Sequence, residues 1–227
     1  ISACLVGSEM CKETGTIRLA GSNNQNFGGG TISNLLADNG ATIVQNIATQ
    51  ISNSLTLGNN VTLNLNNLAL TLQSASTGTA YIAQVPASSS ITNTSNFTQQ
   101  RWLNRNNVRA GGNASGNYLF VGPVVNGQTV GLWNGVSPYG PNTFNNSIIG
   151  GGNFYFFSSA NNNWVKPTSL SQALPAGKGA QVWFGNSGFF AGGRTTWSAT
   201  GTPNIGVFSM PLDNVQGFQF VSNPYPS

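Results

Sequence analysis

Charge is nearly missing from this sequence. Only 5% of its 227 residues are charged, against roughly 25% in an ordinary globular protein. The acids are Glu9, Glu13, Asp38 and Asp213, so residues 39–212 contain no carboxylate side chain. Histidine is absent. These gaps exclude whole classes of chemistry. Paired-carboxylate hydrolysis needs two acids across a cleft. Ser-His-Asp and Cys-His nucleophile systems need a histidine. Zinc sites need clustered Cys, His or carboxylate ligands, and calcium loops need several carboxylates together. None can be assembled here, so the expectation is a non-enzymatic protein with no metal and no cofactor.

Cysteine is also scarce. Cys4 and Cys11 stand alone near the amino terminus, and a metal would need two further ligands. A disulfide closing this short loop is the expectation, which implies an oxidising, extracytoplasmic compartment; two free thiols are the alternative. The first residue is Ile rather than Met, consistent with a removed leader. No apolar run reaches bilayer-spanning length, so no membrane insertion is expected. The net charge is only +4, and the aromatics read as core rather than as an interface to bases, so no nucleic acid is expected.

What is present is asparagine, the commonest residue of the chain, followed by glycine, with enough Leu, Ile, Val and Phe for a packed core. "LGNNVTLNLNNLALTL", residues 57–72, alternates aliphatic residues with Asn and Thr, the pattern of a half-buried strand. Residues 55–85 read as successive short strands, "SLTLG", "VTLNL", "LALTLQ" and "AYIAQV", separated by "GNN", "NN" and "STG" turns. Their spacing suggests a sheet built by stacking, with a period too irregular for a formal repeat. Residues 1–30 read as an amino-terminal extension ending in a flexible "NFGGG" connector. Within 31–51, Ile43, Ile47 and Ile51 have helical spacing, while the β-branched content of "ATIVQNIATQI" favours strand.

The polar stretch "PASSSITNTSN", residues 86–96, is the expected boundary. Beyond it aromatics multiply between Gly, Asn and Pro turns, as in an antiparallel sandwich or barrel. The fold class expected is therefore all-β: short stacked, solenoid-like strands over 31–90, then an aromatic-rich β-sandwich over 97–227.

Several blocks resemble surface and secreted proteins of the Bacteroidota that are exported by the type IX secretion system. They are the stacked Thr/Leu strands with the turn Ser74–Ala80, the Arg101–Trp102 strand, "NYLFVGPVVNGQTV", "LPAGKGAQVWF", "ATGTPNIGVFSMPL" and the ending "GFQFVSNPYPS". Order and spacing agree over about residues 55–227. The resemblance implies an extracellular or cell-surface location and a chain that ordinarily continues past Asn-Pro-Tyr-Pro-Ser. It carries no shared catalytic residues.

Two candidate ligand features remain. Arg101, Arg105 and Arg109 recur every fourth residue, and a row of guanidiniums could bind phosphate, sulfate or an acidic sugar; alternatively they bond turn carbonyls and stack on aromatics. Trp164, between "NNN" and "VKP", is the tryptophan expected to be exposed and able to stack on a sugar. The five Asn-x-Ser/Thr sites match chance for this composition and carry no argument. The missing edge charges that ordinarily guard against strand pairing, and asparagine ladders that stabilise stacked strands, point to a homo-polymer: a surface filament, sheath or layer. The alternative is a carbohydrate-binding adhesin module engaging surface glycans.

Overall fold

The computed structural model describes residues 13–104, 117–136, 154–184, 194–210, 212 and 218–226. The architecture is all-β, as expected. Two compact units divide the chain: Ile1–Arg101 with Thr200–Val207 and Pro226–Ser227, and Trp102–Ala199 with Phe208–Tyr225. The division falls after Arg101, not within 86–96.

In the first unit the chain alternates between two parallel sheets. Strands β1 (Glu13–Ala20), β3 (Gly30–Asp38), β5 (Thr49–Leu57), β7 (Leu70–Leu72) and β12 (Phe97–Asn104) follow one another in one sheet. Strands β2 (Gln25–Phe27), β4 (Thr42–Gln45), β6 (Thr62–Asn64) and β11 (Ser90–Thr92) do so in the other. Every one of these successive pairings is parallel. Ile17 pairs with Leu35, Leu35 with Leu55, and Thr49 with Leu70, so successive turns are similar but not equal in length. Each turn of chain lays one strand in each sheet, directly on the previous turn.

The next turn is longer for a local reason. Strand β5 is paired first by β7, through Thr49 and Leu70, and then by β10 (Tyr81–Ile82), through Ser54 and Tyr81. The extra chain is the hairpin Ser74–Thr79, formed by β8 (Ser74–Ala75) and β9 (Gly78–Thr79). Beyond β12 the chain returns as β17 (Arg194–Thr200). Thr200 meets Thr98, the Gly201 amide donates to the Phe97 carbonyl, and Thr202 meets Thr94. Numbers rise on one side as they fall on the other, so this return runs antiparallel.

Side-chain parity follows from the alternation. Leu57, Val61, Leu63, Leu65, Leu70 and Leu72 are all buried, and inward columns stack like on like: Ile32–Ile51–Leu72 and Ile43–Leu63–Ile91. The outward asparagines join turns. Asn64 Oδ1 accepts the Asn66 amide at 2.8 Å and the Asn93 side-chain amide at 2.7 Å. Asn53 Nδ2 donates to Asn34 Oδ1 at 2.6 Å, and Asn96 Nδ2 to the Asn67 carbonyl at 2.6 Å. Neighbours in such a column sit about 4.8 Å apart, where like charges repel and amides pair. Asn60, Asn66 and Asn67 also adopt left-handed φ of 58°, 52° and 56°, which short polar side chains tolerate best after glycine.

Three expectations need correction here. Residues 13–20 and 25–27 are not a loose extension; β1 and β2 are in register with β3 and β4. "NFGGG" is a tight corner: Gly29 has φ 77°, and a Cβ there would collide with the Ile47 carbonyl. Residues 31–51, by contrast, form strands as their β-branched content favoured, with Ile43 and Ile51 buried and Ile47 exposed. The polar stretch 86–96 likewise supplies β11.

In the second unit β13 (Asn117–Val121), β14 (Phe154–Ser158), β15 (Asn163–Val165) and β16 (Ala180–Phe184) form one antiparallel sheet in the order β13–β16–β14–β15. Trp133 and Trp197 are buried and stacked, centroids 4.0 Å apart at 9°, and Trp197 Nε1 donates to the Leu132 carbonyl at 2.9 Å.

Candidate functional site

Two features of this architecture bear on function. The first is the amino end of the parallel stack. Strands β1 and β2 are the terminal members of their two sheets. Among the described residues, each has a strand partner on one side only. An edge strand presents a row of unpaired N–H and C=O groups that can template another strand. Its guards are few. Arg18 on β1 is tied to Asp38 at 2.6 Å, the ion pair found among the described residues. The register of β1 also shifts between Glu13 and Thr16.

The second feature is the outer face of the antiparallel sheet. Phe154, Ala180 and Val182 bury one face of that sheet. Pairing of Phe120 with Gln181, of Gln181 with Tyr155 and of Phe157 with Trp164 puts these residues on the opposite face. Phe120 is 64% exposed there. The segment around Phe220 bridges the chain leading into β16, Lys178 to Val221, and its Phe220 ring contacts Phe120 and Trp164 on this face. The Gly179 amide donates to the Phe220 carbonyl at 2.9 Å, and the Ser222 amide to the Gly177 carbonyl at 2.8 Å. A Cβ at Gly179 would run into the Phe220 ring, so glycine is what lets that ring settle on the sheet.

Trp164 belongs to this cluster and is not the free platform expected of it. Its ring lies edge-on to Phe157 at 5.4 Å and to Phe220 at 5.5 Å, and nearly parallel to Phe120 at 6.3 Å and 16°. It is half-buried. Phe120, its neighbour by ring contact, carries the exposure instead. Sequence reasoning missed Phe120 because its surroundings, "NYLFVG", read as an ordinary buried strand.

Of the arginine row, Arg101 is the member that lies among the described residues. Arg101 shares strand parity with the buried Phe97, Gln99 and Leu103. Its guanidinium donates to the Gln100 carbonyl at 3.3 Å, and no carboxylate among the described residues pairs with it. Burial pulls its pKa down to about 10, because desolvation disfavours the charged form. Arg105 and Arg109 lie outside the described residues, as do Cys4 and Cys11. Among the described residues no three metal-ligating side chains cluster, and no helix is long and apolar enough to cross a membrane.

Comparison with protein-family models, curated proteins and solved structures finds no match for this chain.

Proposed function

We propose that this is a non-enzymatic, extracellular structural protein that assembles with copies of itself into a surface filament, sheath or layer. The observation that carries the reading is the pair of strand edges, β1 and β2, at one end of a parallel stack. A stack already built turn upon turn accepts a further turn without changing its hydrogen-bond geometry. Its outer columns are amides and hydroxyls, which add to a neighbour by the same bonds that join Asn34 to Asn53 and Asn64 to Asn93. Electrostatics opposes this little. A net charge of +4 on the whole chain is weak self-repulsion, screened beyond about 8 Å at physiological salt. Location at the cell surface and export by the type IX route belong to the same proposal and rest on the sequence resemblance alone.

Sedimentation velocity over a concentration series, with electron microscopy of the same samples, tests it. The native chain should form ordered polymers. The variant T16K/A20K, which puts two lysines on the exposed side of β1, should remain monomeric with an unchanged circular dichroism spectrum. A native chain that stays monomeric at high concentration overturns the reading.

A further inference from the structure

We propose that the outer face of the β13–β16–β14–β15 sheet binds a neutral sugar ring, with Phe120 as the stacking surface and the Gln181 amide as its hydrogen-bonding partner. This goes beyond self-assembly and does not depend on it.

Phe120 stands 64% exposed on a strand of a sheet whose other face buries Phe154, Ala180 and Val182. Exposing a large aromatic in this way forgoes burial worth about 1.5–3 kcal/mol, and the ring is held rather than loose. Phe220 contacts it at 4.9 Å and Trp164 flanks it at 6.3 Å. A ring fixed in advance loses little side-chain freedom when a ligand covers it.

Gln181 is the cross-strand neighbour of Phe120 on one side and of Tyr155 on the other. Its side-chain amide makes no hydrogen bond among the described residues, nor is it sealed from solvent as an orphaned buried group. Two donor hydrogens and a carbonyl oxygen therefore stand beside the exposed ring, one strand spacing away, about 5 Å.

The chemistry of this row selects the occupant. A pyranose offers C–H bonds on one face, which lie against an aromatic ring, and hydroxyls around its rim, which both donate and accept. An amide satisfies both kinds of hydroxyl contact. The row Phe120–Gln181–Tyr155 carries no charge, so nothing in it favours an acidic sugar over a neutral one. A second copy of the chain fits less well, since the core of a protein–protein contact is more continuously apolar, and Gln181 would be buried there without a partner.

The test titrates the full chain with cellohexaose, maltohexaose and mannohexaose, read by saturation-transfer NMR and by tryptophan fluorescence, to which Trp164 should contribute. At least one hexaose should bind. Phe120→Ala and Gln181→Ala should each weaken binding by about tenfold or more, while Ile47→Ala, at an exposed site in the parallel stack, leaves it unchanged. Thermal melts confirm that each variant is folded. Absence of binding by all three sugars at millimolar concentration overturns the proposal. So does binding that neither substitution weakens. Loss of self-association in Phe120→Ala, with no sugar bound by the native chain, assigns the face to a second copy instead.

Discussion

The parallel stack and the antiparallel sheet use uncharged surfaces in opposite ways. In the stack, each position meets the equivalent position of the next turn. Thr42 lies beside Thr62 and Thr62 beside Ser90, as Ile43 lies beside Leu63. Like therefore faces like, and any outward charge would face its own kind at about 4.8 Å. Amides and hydroxyls escape that repulsion and bond across the turns. In the antiparallel sheet, neighbours come from unrelated stretches, and unlike groups meet: Phe120 with Gln181, Phe157 with Trp164. Most ring pairs on its outer face meet edge-on or tilted, as their quadrupoles prefer. Low charge is thus a consequence of stacking in one region and an accompaniment of aromatic packing in the other.

The largest effect should come from exchanging the same residue type in the two regions. Phe97 is fully buried in the stack, while Phe120 is exposed on the sheet. Phe97→Ala should cost about 3–5 kcal/mol, the range for a buried phenylalanine. Phe120→Ala should stay within about 0.5 kcal/mol. Chemical denaturation of both variants measures this, and equal costs would break the comparison.

A middle-sized effect concerns Arg101, the cation that shares the stack's inward parity. Its folded-state pKa is depressed to about 10, so burying the charged form opposes folding. That cost is present in full below pH 10 and shrinks as pH rises from there toward the higher, ordinary arginine value. Arg101→Met keeps much of the length and removes the charge, and should stabilise the protein by about 1–3 kcal/mol at neutral pH. The gap between variant and native protein should narrow as pH climbs past the depressed value, which denaturant titrations follow. A destabilised Arg101→Met at neutral pH would show that the guanidinium has an anionic partner.

The smallest effect belongs to the corners of the stack. Asn67 holds φ at 56° and its carbonyl accepts the Asn96 amide. Asn67→Ala should cost about 1 kcal/mol from the left-handed backbone, and Asn67→Gly close to nothing, since glycine adopts that φ freely. Melting temperatures of the two variants separate backbone strain from the loss of the Asn67 side chain. Equal losses would place the cost in the side chain, whose Oδ1 accepts from Ser95 at 3.3 Å.

Much of the stack was legible because its signals are local. Alternation within the short strands of 57–72 assigns inside and outside before any fold is known, and the "GNN" and "NN" turns coincide with left-handed asparagines. The stacking of strands was readable from their spacing. The register was not, because turns of unequal length and the inserted hairpin Ser74–Thr79 blur any period. The candidate ligand face was legible only as an aromatic-rich region. Trp164 looked exposed from its polar flanks, yet its surroundings are set by Phe120, Phe157 and Phe220, drawn from separate stretches of chain.

By itself, then, the sequence determined an all-β chain, the parity of its aliphatic residues and the absence of carboxylate chemistry between residues 39 and 212. Each of these depends on residue type and near neighbours alone. Tertiary structure decided the rest: that "NFGGG" is a corner pressed on the Ile47 carbonyl, that Arg101 shares the parity of buried residues, and that Phe120 is exposed while Trp164 is half-buried among rings. Those outcomes depend on which residues arrive from other turns and other strands, and local pattern carries no record of them.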